Sequence, residues 1–289
     1  MTLIAVKVLL APSFVVGASL AARRFGPRVG GLVAGLPVVA GPILLVYALT
    51  HGSRFAAGAS SGTLLGLISL IAFVVVYARL AGRVWWGASM LAGWAAFALA
   101  TALFSTVSVP TGASLALAAL AIALGRAALP RRPGSAATAP RPPAWDLPLR
   151  AACALALVLA LTAVAGWLGP QLSGLLAPFP IIATVLAVFT HAQRGTEELV
   201  ALLRGLVSGF GAFALFCFTL AVSLPGLGTG LAFLLATGLA LLLQALLLAL
   251  THGEPLGRRA RPHGQAAHTN RETPRASTKL AEELTGRGG

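Results

Sequence analysis

Stretches of about 20 apolar residues, the length at which a helix crosses the roughly 30 Å hydrocarbon core of a bilayer, recur along this chain. Nothing else in the sequence constrains the fold as strongly. In hydrocarbon a backbone must satisfy its own N–H and C=O groups, so only helices and closed barrels can span. A barrel needs short strands that alternate apolar and polar residues between turn signals. Here the runs are solid Leu, Ala, Val and Gly. Hydrophobic residues make up 57% of the chain and charged residues only 10%. A soluble domain carries about 25% charged residues, so there is no material for an ordinary polar surface. The expected fold class is an all-α membrane protein.

The runs divide into about nine spans, roughly 3–21, 29–49, 56–80, 84–106, 110–129, 149–168, 171–190, 199–223 and 228–250. Residues 1–129 form a first half of five helices and 149–250 a second half of four. Between them lies "LPRRPGSAATAPRPPAWDLP", whose Pro, Ala and Arg content reads as a disordered cytoplasmic linker over 130–148. Residues 251–289 are polar and poor in aromatics, too little apolar surface to fold alone. The first span has no positive segment before it and is followed by Arg23 and Arg24, so it reads as a retained helix, not a signal peptide.

Loop charge tests the count. With nine spans, Lys7 and Arg54 fall on one side and the other 19 of the 21 basic residues on the opposite side. Lys and Arg accumulate in cytoplasmic loops, which puts the N-terminus outside and the C-terminus in the cytoplasm. The same distribution accounts for the net charge of +14. No basic face interleaved with aromatics is present, so the bilayer is the expected partner and nucleic acid is not.

Two phrases stand 143 residues apart: "GPRVGGLVAGLP" from Gly26 and "GPQLSGLLAPFP" from Gly169. At that offset, without a gap, Pro27 and Pro37 meet Pro170 and Pro180. Gly26, Gly31, Gly52, Gly62 and Gly66 meet Gly169, Gly174, Gly195, Gly205 and Gly209, and Lys7 meets Arg150. Leu and Ala matches are cheap in such a composition, but two prolines and five glycines in register indicate an internal repeat. Five spans precede the second copy, so it enters the membrane from the opposite side. The expected architecture is therefore two inverted-topology halves of five and four helices, the arrangement of many secondary transporters.

Each phrase places a proline near the middle of its span. Pro37 and Pro180 lack an N–H and clash with the carbonyl four residues back, which would free the carbonyls of Val33 and Leu176. Pro42 and Pro178 add a second break to each copy. Two readings stay open: kinked helices packed tightly through Gly30, Gly31, Gly35 and Gly41, or broken helices whose backbone lines a substrate site. On the second reading the lining is Gly35, Pro37, Gly41, Pro42, Ala177, Pro178, Pro180 and Thr184.

The segment "SGLLAPFPIIATVLAVFTHAQRGTEELVALLRGLVSGFGAF" resembles the GlpM-type family of small bacterial inner-membrane proteins. The resemblance rests on Gly174-Leu175, Phe179-Pro180, Arg194-Gly195, Glu197-Glu198-Leu199 and the Gly205/Gly209 helix, over about 40 residues. The first copy departs from it, with Leu36 in place of the Phe and Arg54-Phe55 where Glu197-Glu198 stand. The whole chain is also similar to larger bacterial membrane proteins carrying a "GPxxGGLxxGLP" phrase. The resemblance implies a bacterial inner-membrane location and duplication of a small ancestral unit; it implies no activity.

None of the seven acidic residues lies inside a span, which counts against a buried proton-coupling carboxylate. Glu197 and Glu198, with Arg194, are the candidates for gating. They also suit a helix start, where acids are favoured. His51, His191 and His252 close apolar spans and read as helix stops. Without a Cys or carboxylate cluster beside them, no metal site is expected. Cys153 and Cys217 read as small buried hydrophobes, and Gln244 as making an interhelical hydrogen bond. No metal-helix, phosphate-loop or nucleophile-elbow motif occurs, so neither an enzyme nor a cofactor is expected. The leading expectation is a permease for a small solute; the alternative is a non-transporting scaffold or accessory protein of the envelope.

Overall fold

The computed structural model describes residues 2–107, 109–130, 143–160 and 179–252. Every element among them is helical: α1 (Thr2–Phe25), α2 (Pro27–Ala34), α3 (Ala40–His51), α4 (Ser53–Leu80), α5 (Trp86–Ser105), α6 (Thr111–Ala128), α7 (146–160) and α8 (Ile181–His252). Non-helical backbone at Gly195 and Gly228 divides α8 into the segments 181–194, 196–227 and 229–252. Four helices are long and apolar enough to cross a membrane: Ser53–Leu80, Trp86–Ser105, Thr111–Ala128 and Ile181–Leu250. Residues Met1–Thr251 form one unit, and His252–Gly289 are a second that lies outside the described residues except for His252.

Two helices form the centre. On α4, Leu64, Phe73, Val74 and Tyr77 are fully buried; on 196–227, so are Leu199, Leu203, Val207, Cys217, Leu220 and Leu224. α4 packs against α3, α5 and α6. The segment 229–252 presents Ala232, Ala236 and Ala240, a buried stripe at four-residue spacing, the small side chains that let helices approach without a hydrophobic drive from lipid. Its other faces carry Leu234 and Leu242, exposed by 72% and 69%. Leu99 and Leu103 on α5 and Leu120 and Leu124 on α6 are also exposed. This apolar perimeter matches a hydrocarbon surrounding, since a perimeter in water would be polar.

Hydrogen bonds show which helix ends lie together. Arg79 Nε donates to the carbonyl of Ala128 at 3.0 Å, joining the end of α4 to the end of α6. Arg204 donates to the carbonyls of Leu129 and Pro130 at 2.8 and 3.1 Å. Thr196 donates to the carbonyl of Ala81 at 3.2 Å. These contacts mark one end of the bundle, where Arg23 also lies. Toward the opposite end the Ser61 and Thr111 hydroxyls pair at 2.7 Å, joining the first half of α4 to the start of α6.

The span expected over 29–49 is broken, not merely kinked. α2 ends at Ala34 and α3 starts at Ala40. The carbonyl of Val33, expected to be freed by Pro37, accepts the N–H of Leu36 at 3.1 Å in a tightened last turn. The carbonyl that reaches outward is that of Leu32, which takes the Gln244 amide at 2.6 Å as well as the N–H of Gly35 at 3.1 Å. Gln244 is thus an interhelical donor, at the site of the break. Pro42 makes no second break: it sits in the first turn of α3, where a missing N–H costs nothing. The other half of the expectation is only partly visible. Pro180 directly precedes α8, while Ala177, Pro178 and the carbonyl of Leu176 lie outside the described residues.

Positions matched by the repeat share local geometry. Val38 N–H donates to Leu36 C=O at 2.9 Å and Ile181 N–H to Phe179 C=O at 2.8 Å, a three-residue turn about each proline. Gly41 N–H donates to Pro37 C=O and Thr184 N–H to Pro180 C=O, both at 2.8 Å. Gly52 and Gly195 adopt φ 88° and 82° with ψ 165° and −177°, a region that is essentially glycine-only.

His191 does not stop its helix, which continues to Arg194, with Gly195 as the break. The expected linker is also shorter at its C-terminal edge. Helix α7 begins at residue 146, so Asp146 belongs to a helix and not to a loop.

Candidate functional site

A cavity of about 690 Å³ lies in the half of the bundle nearer His51. Its walls run from Ala34, Leu36 and Pro37 at the α2–α3 break to Tyr47, His51 and Phe55 at the bundle end. α5 contributes Thr101, Phe104 and Ser105, and α8 contributes Ile181, Ile182, Leu206 and Phe210. Both repeat-matched prolines, Pro37 and Pro180, are on the wall. None of the residues at the Arg23 end lines it.

Of the other expected lining residues, Gly35, Gly41, Pro42 and Thr184 are not on the wall, and Ala177 and Pro178 lie outside the described residues. Gly35 is a packing residue: a Cβ there would sit 2.7 Å from the Gly209 Cα. Gly31 meets the Leu202 carbonyl, Gly205 the Arg28 carbonyl and Gly209 the Leu32 carbonyl with no room for a side chain. Two small-xxx-small pairs, Gly31/Gly35 and Gly205/Gly209, thereby bring α2 and the 196–227 segment to backbone contact. A Cβ at Gly41 would meet the Phe216 ring at 3.4 Å, an ordinary contact. Thr184 is buried and accepts the Trp94 indole N–H at 3.0 Å. Trp94 and Phe97 also pack on Phe179, at 5.3 and 5.7 Å between ring centroids, so α5 holds the turn at Pro180 in place. Gly31 and Gly35 are thus packing residues, while Pro37 and Pro180 border the cavity.

The Arg23 end is closed by charge. Asp146 is fully buried and accepts Arg23 Nη2 at 2.6 Å and Arg150 Nε at 2.9 and 3.0 Å. The guanidinium of Arg150 lies 5.0 Å over the Phe189 ring, a favourable placement for a partly desolvated cation. Burial acts to raise the Asp146 carboxyl, but hydrogen bonds from Arg23, Arg150 and Gln193 and the charge of Arg150 outweigh it and hold the group below the ordinary aspartate range. Nearby, Arg194 Nη1 donates to Glu198 at 3.0 Å. So α1, α7 and the 181–194 segment are tied by one carboxylate. The candidate gating pair Arg194 and Glu198 is formed one turn apart on either side of the Gly195 break. Glu197 stands beside it at the start of the 196–227 segment.

Sequence reasoning missed Asp146. The available signal was its spacing of four from Arg150 and its place as the sole acid in a basic stretch, a pattern that forms helical ion pairs. Cys217 is buried, as read from its apolar span, whereas Cys153 is only half-buried. Among the described residues no group of His, Cys, Asp and Glu could hold a metal ion.

Long apolar helices with an apolar perimeter are the features of a helical integral membrane protein, and the described chain is compatible with that class. It matches no protein-family model, no curated protein and no solved structure.

Proposed function

We propose that this chain is a nine-span membrane permease for a small solute, built as two inverted halves and lacking catalytic activity. The observation that carries the reading is the position of Pro37 and Pro180. The repeat makes them equivalent, and both border one cavity of about 690 Å³ that reaches one end of the bundle. Broken helices near the membrane midplane, in matched positions of two halves, are where secondary transporters place their substrate. The buried ion pairs of Arg23, Asp146 and Arg150 close the other end. Alternating access then requires that network to open as the His51 end closes. Loop charge supports a cytoplasmic position for the Arg23 end and for the C-terminus, and the GlpM-type resemblance supports a bacterial inner membrane.

The test is solute flux into vesicles from cells expressing Pro37→Ala, Pro180→Ala and the parent chain. Flux lost at unchanged expression and thermal stability supports transport. If both variants merely express poorly and no solute in the screen moves through the parent, the permease reading fails.

A further inference from the structure

Resting on the permease reading, we propose that the solute is an uncharged, mainly apolar molecule carrying one hydroxyl group, and that Ser69 and Thr101 are the side chains that receive it. The cavity volume of about 690 Å³ falls within the roughly 300–1,000 Å³ of small-molecule sites. No Asp, Glu, Lys or Arg is among its described lining residues. An ion entering it would leave its charge unpaired among Phe, Leu and Ile side chains, at a large desolvation cost. Its aromatic lining, Phe104, Phe179, Phe210 and Phe213 among others, suits an apolar body.

The polar end of the solute is located by two hydroxyls. A serine or threonine on an apolar helix ordinarily donates to the carbonyl three or four residues back. Ser60, Thr63 and Ser105 do so, at 2.8, 2.9 and 2.7 Å. Ser69 Oγ and Thr101 Oγ1 do not: both are buried atoms with no hydrogen-bond partner among the described residues. Both residues line the cavity, Ser69 from α4 and Thr101 from α5. A buried hydroxyl left unpaired is destabilising, and it is tolerated where a ligand supplies the missing partner. Either hydroxyl can pair with a solute hydroxyl that reaches it.

The experiment uses the full chain in lipid vesicles and three matched aryl diazirine photoprobes, bearing CH2OH, CH3 or carboxylate. After irradiation, labelled peptides are mapped. The alcohol is expected to label the cavity wall around Phe104 and Ile182. Ser69→Ala or Thr101→Val should cut that labelling about two- to tenfold, the effect of one neutral hydrogen bond. The methyl probe should label the same wall more weakly and equally in all three proteins, which reports that the variants are folded. The carboxylate should leave the wall unlabelled. Wall labelling by the carboxylate matching that of the alcohol at equal membrane-bound concentration overturns the proposal. So does alcohol labelling unchanged by both substitutions, or confined to the lipid-facing Leu99 and Leu103. Labelling as expected without any flux of the alcohol keeps the site and removes the permease reading; flux with the wrong labelling pattern does the reverse.

Discussion

Asp146 is fully buried yet ionised, because two guanidiniums and an amide face it. Its native pKa lies below the unfolded value of about 3.9, so the stabilisation it provides is whole above that value. It is lost as the pH falls through the lowered native pKa. The parent should therefore lose thermal stability on acidification below about pH 4 more steeply than Asp146→Asn. At neutral pH that variant should be less stable by about 3 kcal/mol, the cost of breaking a buried pair from one side; a flat difference between the two across pH would contradict the assignment. Composition could not reveal this residue, since a Pro- and Arg-rich stretch looks alike whether or not its one acid is buried. Gly52 and Gly195 are the opposite case. Their place in the repeat was legible, and their shared positive φ gives the reason. Alanine at either should cost about 1–3 kcal/mol in thermal unfolding. At Gly58, helical and open to space, alanine should be neutral or mildly stabilising.

At the scale of elements, the apolar runs made most helices legible to within a few residues, including α4, α5 and α6. The break between Ala34 and Ala40 was legible as a choice between two readings. The structure shows a break, and the Leu32 carbonyl in the last turn of α2 takes the Gln244 amide beside the N–H of Gly35. Which glycine meets which backbone was beyond the sequence, because contact between α2 and the 196–227 segment depends on how the whole bundle assembles. That contact predicts a strong and paired sensitivity. Gly31→Ala and Gly205→Ala would each drive a methyl into a carbonyl and should destabilise by about 1–3 kcal/mol or more. In the double variant the losses should not add, as the two sites share one interface. Denaturation of the single and double variants in detergent measures both effects.

For the whole molecule, the proposed inverted topology rests on the sequence repeat and is tested by sidedness. Single cysteines placed within residues 23–28 and 169–173 of a variant lacking Cys153 and Cys217 should differ toward an impermeant thiol reagent. Only the second should label in intact cells. Equal labelling would make the halves parallel or the span count wrong. The cavity itself had no sequence signature beyond its two prolines. It is assembled from the α2–α3 break, α3, α4, α5 and α8, and its most informative side chains, Ser69 and Thr101, are among many hydroxyls scattered along the chain.

The ties across the two halves have a further consequence. Arg23 to Asp146, Arg204 to the carbonyls of Leu129 and Pro130, and the glycine contact of α2 with 196–227 all join segments on opposite sides of residues 131–142. None of them depends on that stretch of chain being continuous. The gene should therefore be divisible there. Two polypeptides, ending and starting within 131–142 and made in the same cell, should find each other and copurify as one protein. The covalent join would then be a convenience of synthesis, and the two halves partners in the sense that separate subunits are.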